Sequence, residues 1–370
     1  MSYSFDQRLE RAIGRRNPYG RHDAFGMKVA NAMDAALESY STRGSSSASK
    51  YALLAMSPVD EDCARRSREA GDRVIQHLTK AFEDKHMTMP QFKYQGSVVA
   101  NTQIKGASDI DLLVLDQRSY RYDKGGIEKA LDALPNAFPP LASSVKLRRV
   151  LNGPEYKGDS LSDVKQDRRI CEECLSSVYD QCNISKAKAI QILNQNLNQK
   201  VDVVNCLWYD DVRSVANDQI DPYRGITIYD KKSGSFLAED YPFYKIDLIN
   251  KRDEATRGNF KCMIRLLKTL KEDADNCSKL SSFDIYSILY EMPVGTYSKS
   301  SRLGLIDELI IFMHPIATNT IDANEVKQLD TDDYVFRNNA EKLQDFRRIY
   351  QDLCRIKCEI RNSMRRIVFG

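Results

Sequence analysis

Histidine is scarce in this sequence: four in 370 residues, at His22, His77, His86 and His314. They are scattered, with no His-x-x-x-His pair and no His set beside a Cys, so His-ligated hydrolytic metals and Cys–His nucleophiles drop out. Net charge is scarce too, 55 Lys and Arg against 52 Asp and Glu giving +3. A chain-wide positive field is absent, so long nucleic acid is not expected as an activator. No uncharged apolar run approaches the ~20 residues a membrane helix needs. The opening Met1-Ser-Tyr-Ser-Phe-Asp-Gln-Arg8 lacks a signal peptide's apolar centre, and a cytoplasmic location is expected. Cysteine is not scarce, but nine is an odd number. Without a secretory signal it reads as reduced core thiols, not a disulfide framework.

What remains is a globular composition, 42% hydrophobic and 29% charged, which excludes collagen-like and disordered chains and fits about two domains. Residues 6–40 read as an amphipathic helix broken near Asn17-Pro18-Tyr19-Gly20, and 42–49 as a Ser-rich linker. A long helix is expected from Pro58 to Phe82. Asp109–Leu115 reads as a strand, and Lys188–Leu193 and Lys200–Leu207 as two paired strands. Between them, Cys171-Glu-Glu-Cys174 has the spacing of a metal half-site. With Cys182 it falls on one face of an expected helix over 162–182, and apolar helix-face thiols are the favoured reading. Cys354 and Cys358 are read the same way. After Tyr223 the pattern is mostly helical. The expected organisation is α+β: residues 1–222 form an N-terminal helix and a mixed-sheet lobe, and 223–370 a helical C-terminal lobe. The basic runs Arg8–Arg21, Cys63–Arg73 and Arg347–Arg366 are interleaved with acids or spread around helices, and read as solvated faces.

Three features carry chemistry. Gly96-Ser97 offers a backbone that can approach a phosphate closely and a hydroxyl that can bond it. Asp109-Ile-Asp111 places two carboxylates on the same face of a strand, about 6–7 Å apart. Hard oxygen donors held side by side suit Mg²⁺ or Mn²⁺. Asp202 lies inside Lys-Val-Asp-Val-Val, where a lone acid is costly to bury without a partner.

Together, Gly-Ser, then Asp-x-Asp, then a later strand Asp resemble the signature of the polymerase-β-type nucleotidyltransferase superfamily. The resemblance implies a bilobed fold and two-metal phosphoryl transfer. Asp109, Asp111 and Asp202 would hold two Mg²⁺ (or Mn²⁺) ions, and Gly96 and Ser97 would cradle the β- and γ-phosphates.

The second half narrows the resemblance. Lys261-Cys-Met-Ile-Arg265-Leu-Leu-Lys268 and Leu280-Ser-Ser282-Phe283-Asp-Ile-Tyr are similar to the helical lobe of bacterial CD-NTases. These are the cyclic GMP-AMP synthase-like and oligoadenylate synthase-like enzymes of CBASS antiphage systems. That resemblance implies Lys268 and Ser282 on a donor triphosphate, and Phe283 stacked on its base. It implies NTP substrates, ATP among them, joined into a cyclic di- or trinucleotide with release of pyrophosphate. A linear oligonucleotide synthase, or an enzyme that modifies RNA or protein, shares the same carboxylates and is the alternative. Nucleobase choice, ring size and linkage stay open. The chain ends Arg365-Arg-Ile-Val-Phe369-Gly370. In some CBASS operons a ubiquitin-transfer-like pair conjugates the synthase through its C-terminal residue, which makes Gly370 an expected conjugation site.

Overall fold

A computed structural model describes residues 4–16, 46–104, 108–133, 142–274, 278–297, 301–330 and 333–369. The chain divides into two compact units. One comprises Asp60–Ala100 and Asp109–Leu248; the other comprises Met1–Val59, Asn101–Ser108 and Ile249–Gly370.

The first unit is built on one mixed sheet. Its strands are β1 (Gln91–Gln95), β2 (Ile110–Leu115), β3 (Arg121–Tyr122), β4 (Cys182–Asn183), β5 (Ile190–Asn194), β6 (Gln199–Asp210), β7 (Gly225–Asp230) and β8 (Ser235–Asp240). The main path runs β1-β2-β6-β5-β4, with β3 and β7 also on β6 and β8 outside β7. The twelve-residue β6 serves both branches. It runs parallel to β2 and antiparallel to β5 and β7.

Alternation of side chains along each strand separates the two faces. Ile110, Leu112 and Val114 of β2, Val201 and Val203 of β6, and Ile190 and Ile192 of β5 all point to one face and are buried. Two helices cover that face. Glu61–Asp84 contributes Ala70, Val74, Leu78 and Phe82 at helical spacing, and Ser160–Val178 contributes Ile170, Cys171 and Leu175. The first of these helices starts at Asp60, whose side chain accepts from the Cys63 N–H. Each fully buried aliphatic side chain here stabilises the fold by about 1.5–3 kcal/mol. The opposite face is apolar at one end, where Leu113, Leu115, Val204, Cys206 and Trp208 cluster. Its other end is polar.

The second unit is helical. Helix Asn259–Glu272 is buried along most of its length, and Phe5–Arg16, Ser47–Met56 and Ala340–Phe369 also belong to this unit. Arg8 Nη1 donates to Asp352 Oδ2 at 2.9 Å, and Arg15 Nη1 to Asp273 Oδ1 at 2.6 Å. Among the described residues no helix is long and apolar enough to cross a membrane.

Several expectations change. The units do not divide at 222/223. Residues 225–240 form a hairpin hydrogen-bonded to β6, so they extend the sheet, and the N-terminal helices belong with the helical unit. Ser46 caps the buried helix Ser47–Met56, accepting from the Ser49 N–H, so the end of the Ser-rich stretch is structured. The helix carrying Cys171 and Cys174 stops at Val178, and Cys182 lies in β4 instead. The described cysteines are free, and no described group of three or more His, Cys, Asp or Glu is closed into a metal-holding cluster. Arg8 is no solvated residue: it is buried against Asp352. The helix break at 17–20 and Gly370 lie outside the described residues.

Candidate active site

The polar end of the sheet carries one row of side chains. Gln95 of β1 is the register partner of Asp111 on β2. Asp111 is in turn the partner of Asp202 on β6, and Asp202 of Gln191 on β5. Register partners project from the same face. Asp109 stands two residues ahead of Asp111, where extended backbone sends its side chain to that same face. All three aspartates are half-buried, while Ile110, Val201 and Val203 beside them are buried on the far face. The apolar neighbours therefore fix which way the acids point.

Three groups attend the carboxylates. Gln191 Nε2 donates to Asp109 Oδ2 at 3.3 Å. Lys186 Nζ lies 3.4 and 3.5 Å from the two oxygens of Asp202. Gly96 has φ +72°, and a Cβ built there would stand 2.2 Å from Asp111 Oδ2. Only glycine both tolerates that backbone angle and lets the chain pass so close to the carboxylate. Ser97 follows it, half-exposed.

Burial holds the Asp109 carboxyl above its ordinary range, and the charge of Asp202 pushes the same way; Lys200 and Lys186 oppose them. Acids forced together are relieved by cations. The donor set is all oxygen, on a half-exposed face. Oxygen donors of this kind suit hard divalent ions such as Mg²⁺ or Mn²⁺, although among the described residues the three carboxylates are not gathered into a metal-holding group.

Lys268, Ser282 and Phe283 belong to the helical unit. Ser282 and Phe283 open the helix Ser282–Glu291 and are half-buried. Lys268 is buried, and its Nζ donates to the Thr102 carbonyl at 2.8 Å. Beside it Arg265 donates to the carbonyls of Met56 and Asn101, each at 2.8 Å, and Tyr286 Oη shares a hydrogen bond with Thr102 Oγ1 at 2.8 Å. These three side chains grip residues 101–102, at the head of the segment that leads to Asp109. Sequence reasoning missed Lys186 and Gln191. Their roles depend on strand register, although the polar Gln inside the apolar run Ala189–Leu193 was a usable signal.

The cGAS/DncV-like nucleotidyltransferase C-terminal helical domain matches residues 247–356. A c-di-GMP synthase of Capnocytophaga granulosa is 39% identical over 82% of this chain and 85% of its own length. The chain belongs to the CD-NTase family. A c-di-GMP synthase of a Lachnospiraceae bacterium is 34% identical over 83% of this CD-NTase and 87% of its own length. The solved structure of a STING-associated CdnE c-di-GMP synthase from Flavobacteriaceae sp. superposes with a TM-score of 0.81 at 27% identity, covering 98% of this chain and 100% of that one. This CD-NTase is thus an α+β nucleotidyltransferase that uses NTPs to make a cyclic dinucleotide.

Proposed function

We propose that this CD-NTase joins two GTP molecules into c-di-GMP, with Asp109, Asp111 and Asp202 as its catalytic carboxylates. The observation that carries the site is the register pairing of Asp111 with Asp202, next to a Gly96 that presses against Asp111. The guanine choice rests on relatives named c-di-GMP synthase at 39% and 34% identity over most of the chain. On this reading both substrates are GTP, where the family resemblance alone implied ATP among them.

Each joining step forms a bond between a ribose hydroxyl oxygen and an α-phosphorus and breaks the bond to the leaving pyrophosphate. Two such steps close the ring. Asp109, Asp111 and Asp202 would hold divalent cations, whose chemistry would be to offset the triphosphate's charge and make the attacking hydroxyl more acidic. Asp109 and Asp111 would hold both ions, and Asp202 would complete the site for the ion of the attacking hydroxyl. Gly96 lets the backbone lie against the phosphates, and the Ser97 hydroxyl donates to them. Ser282 and Phe283 serve the donor nucleotide. Lys268 contributes by holding Thr102.

We further place the product in antiphage signalling in the cytoplasm. The Flavobacteriaceae structure is described as STING-associated, which supports a STING-type receptor as the reader of the product. Gly370 is retained as a conjugation site for a ubiquitin-transfer-like partner. Incubation of the pure protein with Mg²⁺ and each NTP singly and in pairs, followed by digestion and mass spectrometry, tests the proposal. GTP alone should yield a phosphatase-resistant ring of two guanylates. A requirement for ATP, or product only on added RNA or protein, would count against it.

A further inference from the structure

The carboxylate row runs into a cleft on its own face of the sheet. The main strand order is β1-β2-β6-β5-β4. Asp202 on β6 is the partner of Gln191 on β5, and Gln191 of Asn183 on β4. Two residues along β5, Leu193 is the partner of Lys200 on β6. Alternation puts these four side chains on the face that carries the carboxylates. With Asp180 and Gln181 they line a cleft of about 330 Å³. The cleft is coupled to the row electrostatically as well, since the charge of Lys200 is felt at Asp109.

The lining is mixed in chemistry. Lys200 brings an ammonium and Asp180 a carboxylate, and among the described residues neither side chain makes a hydrogen bond or an ion pair. Asn183 Oδ1 accepts from the Ser185 N–H at 2.9 Å and the Ser185 hydroxyl at 2.7 Å, which leaves its amide N–H groups to donate elsewhere. Gln191 gives one N–H to Asp109 at 3.3 Å and retains a carbonyl oxygen as acceptor. Gln181 offers both kinds of group, and Leu193 is the apolar member. Guanine matches this set. Its N1–H and N2–H donors lie side by side, as a carboxylate accepts them, and its O6 and N7 are acceptors for a lysine or an amide N–H. Adenine presents N1 as an acceptor, which a facing carboxylate repels.

Strand order decides which nucleotide reaches the cleft. In the function proposed above, Gly96 and Ser97 meet the attacked triphosphate on the β1 side, and Asp202 serves the attacking hydroxyl on β6. The acceptor nucleotide then extends from Asp202 away from β1, over β5 and β4, a span of about 10 Å at one strand spacing each. We propose that this cleft is the subsite for the acceptor guanine and sets the base choice of the enzyme. Asp180 accepts from N1–H and N2–H, and Lys200 donates to O6 and N7. Gln181 and Asn183 supply further amide contacts, and Leu193 lies against the ring. The inference rests on the assignment of Asp202 to the attacking hydroxyl, and adds to it the residues that read the base.

Acceptor-only nucleotides test it. In α,β-methylene GTP and α,β-methylene ATP the bridge between the first two phosphorus atoms does not break, so each can offer only its ribose hydroxyl. That hydroxyl oxygen bonds the α-phosphorus of GTP and pyrophosphate leaves, which gives a linear dinucleotide of distinct mass. The full-length protein is incubated with Mg²⁺, GTP and equal amounts of both analogues, and the two dinucleotides are quantified by mass spectrometry. Wild type should use the guanine analogue at least about tenfold more than the adenine one, the scale of one paired base contact. Asp180→Asn should cut that preference to about threefold or less, and Lys200→Gln should lower it too. Both residues are exposed, so both variants should keep the wild-type melting curve; should one unfold, the other still reads the preference. Equal use of the two analogues by wild type overturns the inference, as does a wild-type preference in the folded variants. If wild type makes no cyclic guanylate from GTP alone, the proposed function falls and this inference with it. If c-di-GMP forms and the variants keep the wild-type preference, only the acceptor subsite fails.

Discussion

Asp111 and Asp202 are register partners on the parallel strands β2 and β6, and so present two carboxylates side by side on one face. They come from positions 91 residues apart, and only the pairing of two strands brings them together. Like charges placed directly opposite in a sheet destabilise it. The row therefore costs the sheet some stability.

Removing a charge from the row should separate the two. Asp109→Asn takes away the carboxyl that burial and Asp202 already disfavour as an anion. Metal-free protein should become more stable at neutral pH by up to about 1 kcal/mol, while product formation stops. Urea unfolding in chelator, set beside nucleotide turnover, reads both. A variant that loses stability and keeps turnover would contradict the role given to Asp109.

Gly96→Ala should fold and fail in catalysis. The φ of +72° costs a non-glycine residue about 1–2 kcal/mol, and the new methyl must displace Asp111 Oδ2. We expect turnover to fall at least about 100-fold, as small misplacements of reacting groups do. Circular dichroism and a melting curve check that the loss is not unfolding.

Lys268→Met distinguishes a positioning lysine from a phosphate contact. The Thr102 carbonyl loses a buried charged donor, which should cost about 1–3 kcal/mol of stability. The KM for GTP should change little and kcat should fall, because Thr102 loses its anchor. A large rise in KM with unchanged stability would assign Lys268 to the triphosphate.

The pH dependence of stability has one identifiable contributor outside the site. Asp116, Asp163 and Asp167 surround the single guanidinium of Arg118, with Nη2 2.5 Å from Asp167 Oδ1. The acids hold Arg118 firmly charged. For Asp167, however, burial and the neighbouring carboxylates outweigh Arg118 and push it up to about 7. A folded value above the unfolded one means that the native state keeps a proton the unfolded chain releases. The resulting stability is full below the ordinary carboxyl value of 3.8 and is lost as pH rises to about 7. Asp167→Asn should remove this slope, leaving the variant roughly 2–4 kcal/mol better off, relative to wild type, above neutrality than in acid. Denaturant unfolding of the two proteins across this range checks it, and parallel pH profiles would refute it.

Much of the site was legible because strand periodicity is local. Asp109-Ile-Asp111 and Asp202 lie in apolar alternating runs, so their shared face could be read from spacing alone. The apolar alternation of Gly225-Ile-Thr-Ile-Tyr was also readable, yet the helical pattern that follows drew the domain boundary too early. Lys186 and Gln191 were not legible, since a lysine in a turn and a glutamine in a strand acquire roles only through register with β6. Arg265 and Lys268 looked like the polar side of an amphipathic helix. Their burial comes from carbonyls of residues more than 150 positions away, which no local pattern encodes.

The most direct test of the central claim compares wild type with Asp202→Asn, each incubated with GTP and Mg²⁺ and analysed by mass spectrometry after phosphatase treatment. Wild type should accumulate c-di-GMP. Asp202→Asn should bring it down by at least about 1000-fold, the scale of losing a metal-ligand carboxylate in phosphoryl transfer, with its melting curve intact. Cyclic product from the variant at the wild-type rate, or none from wild type with any NTP, would contradict the account.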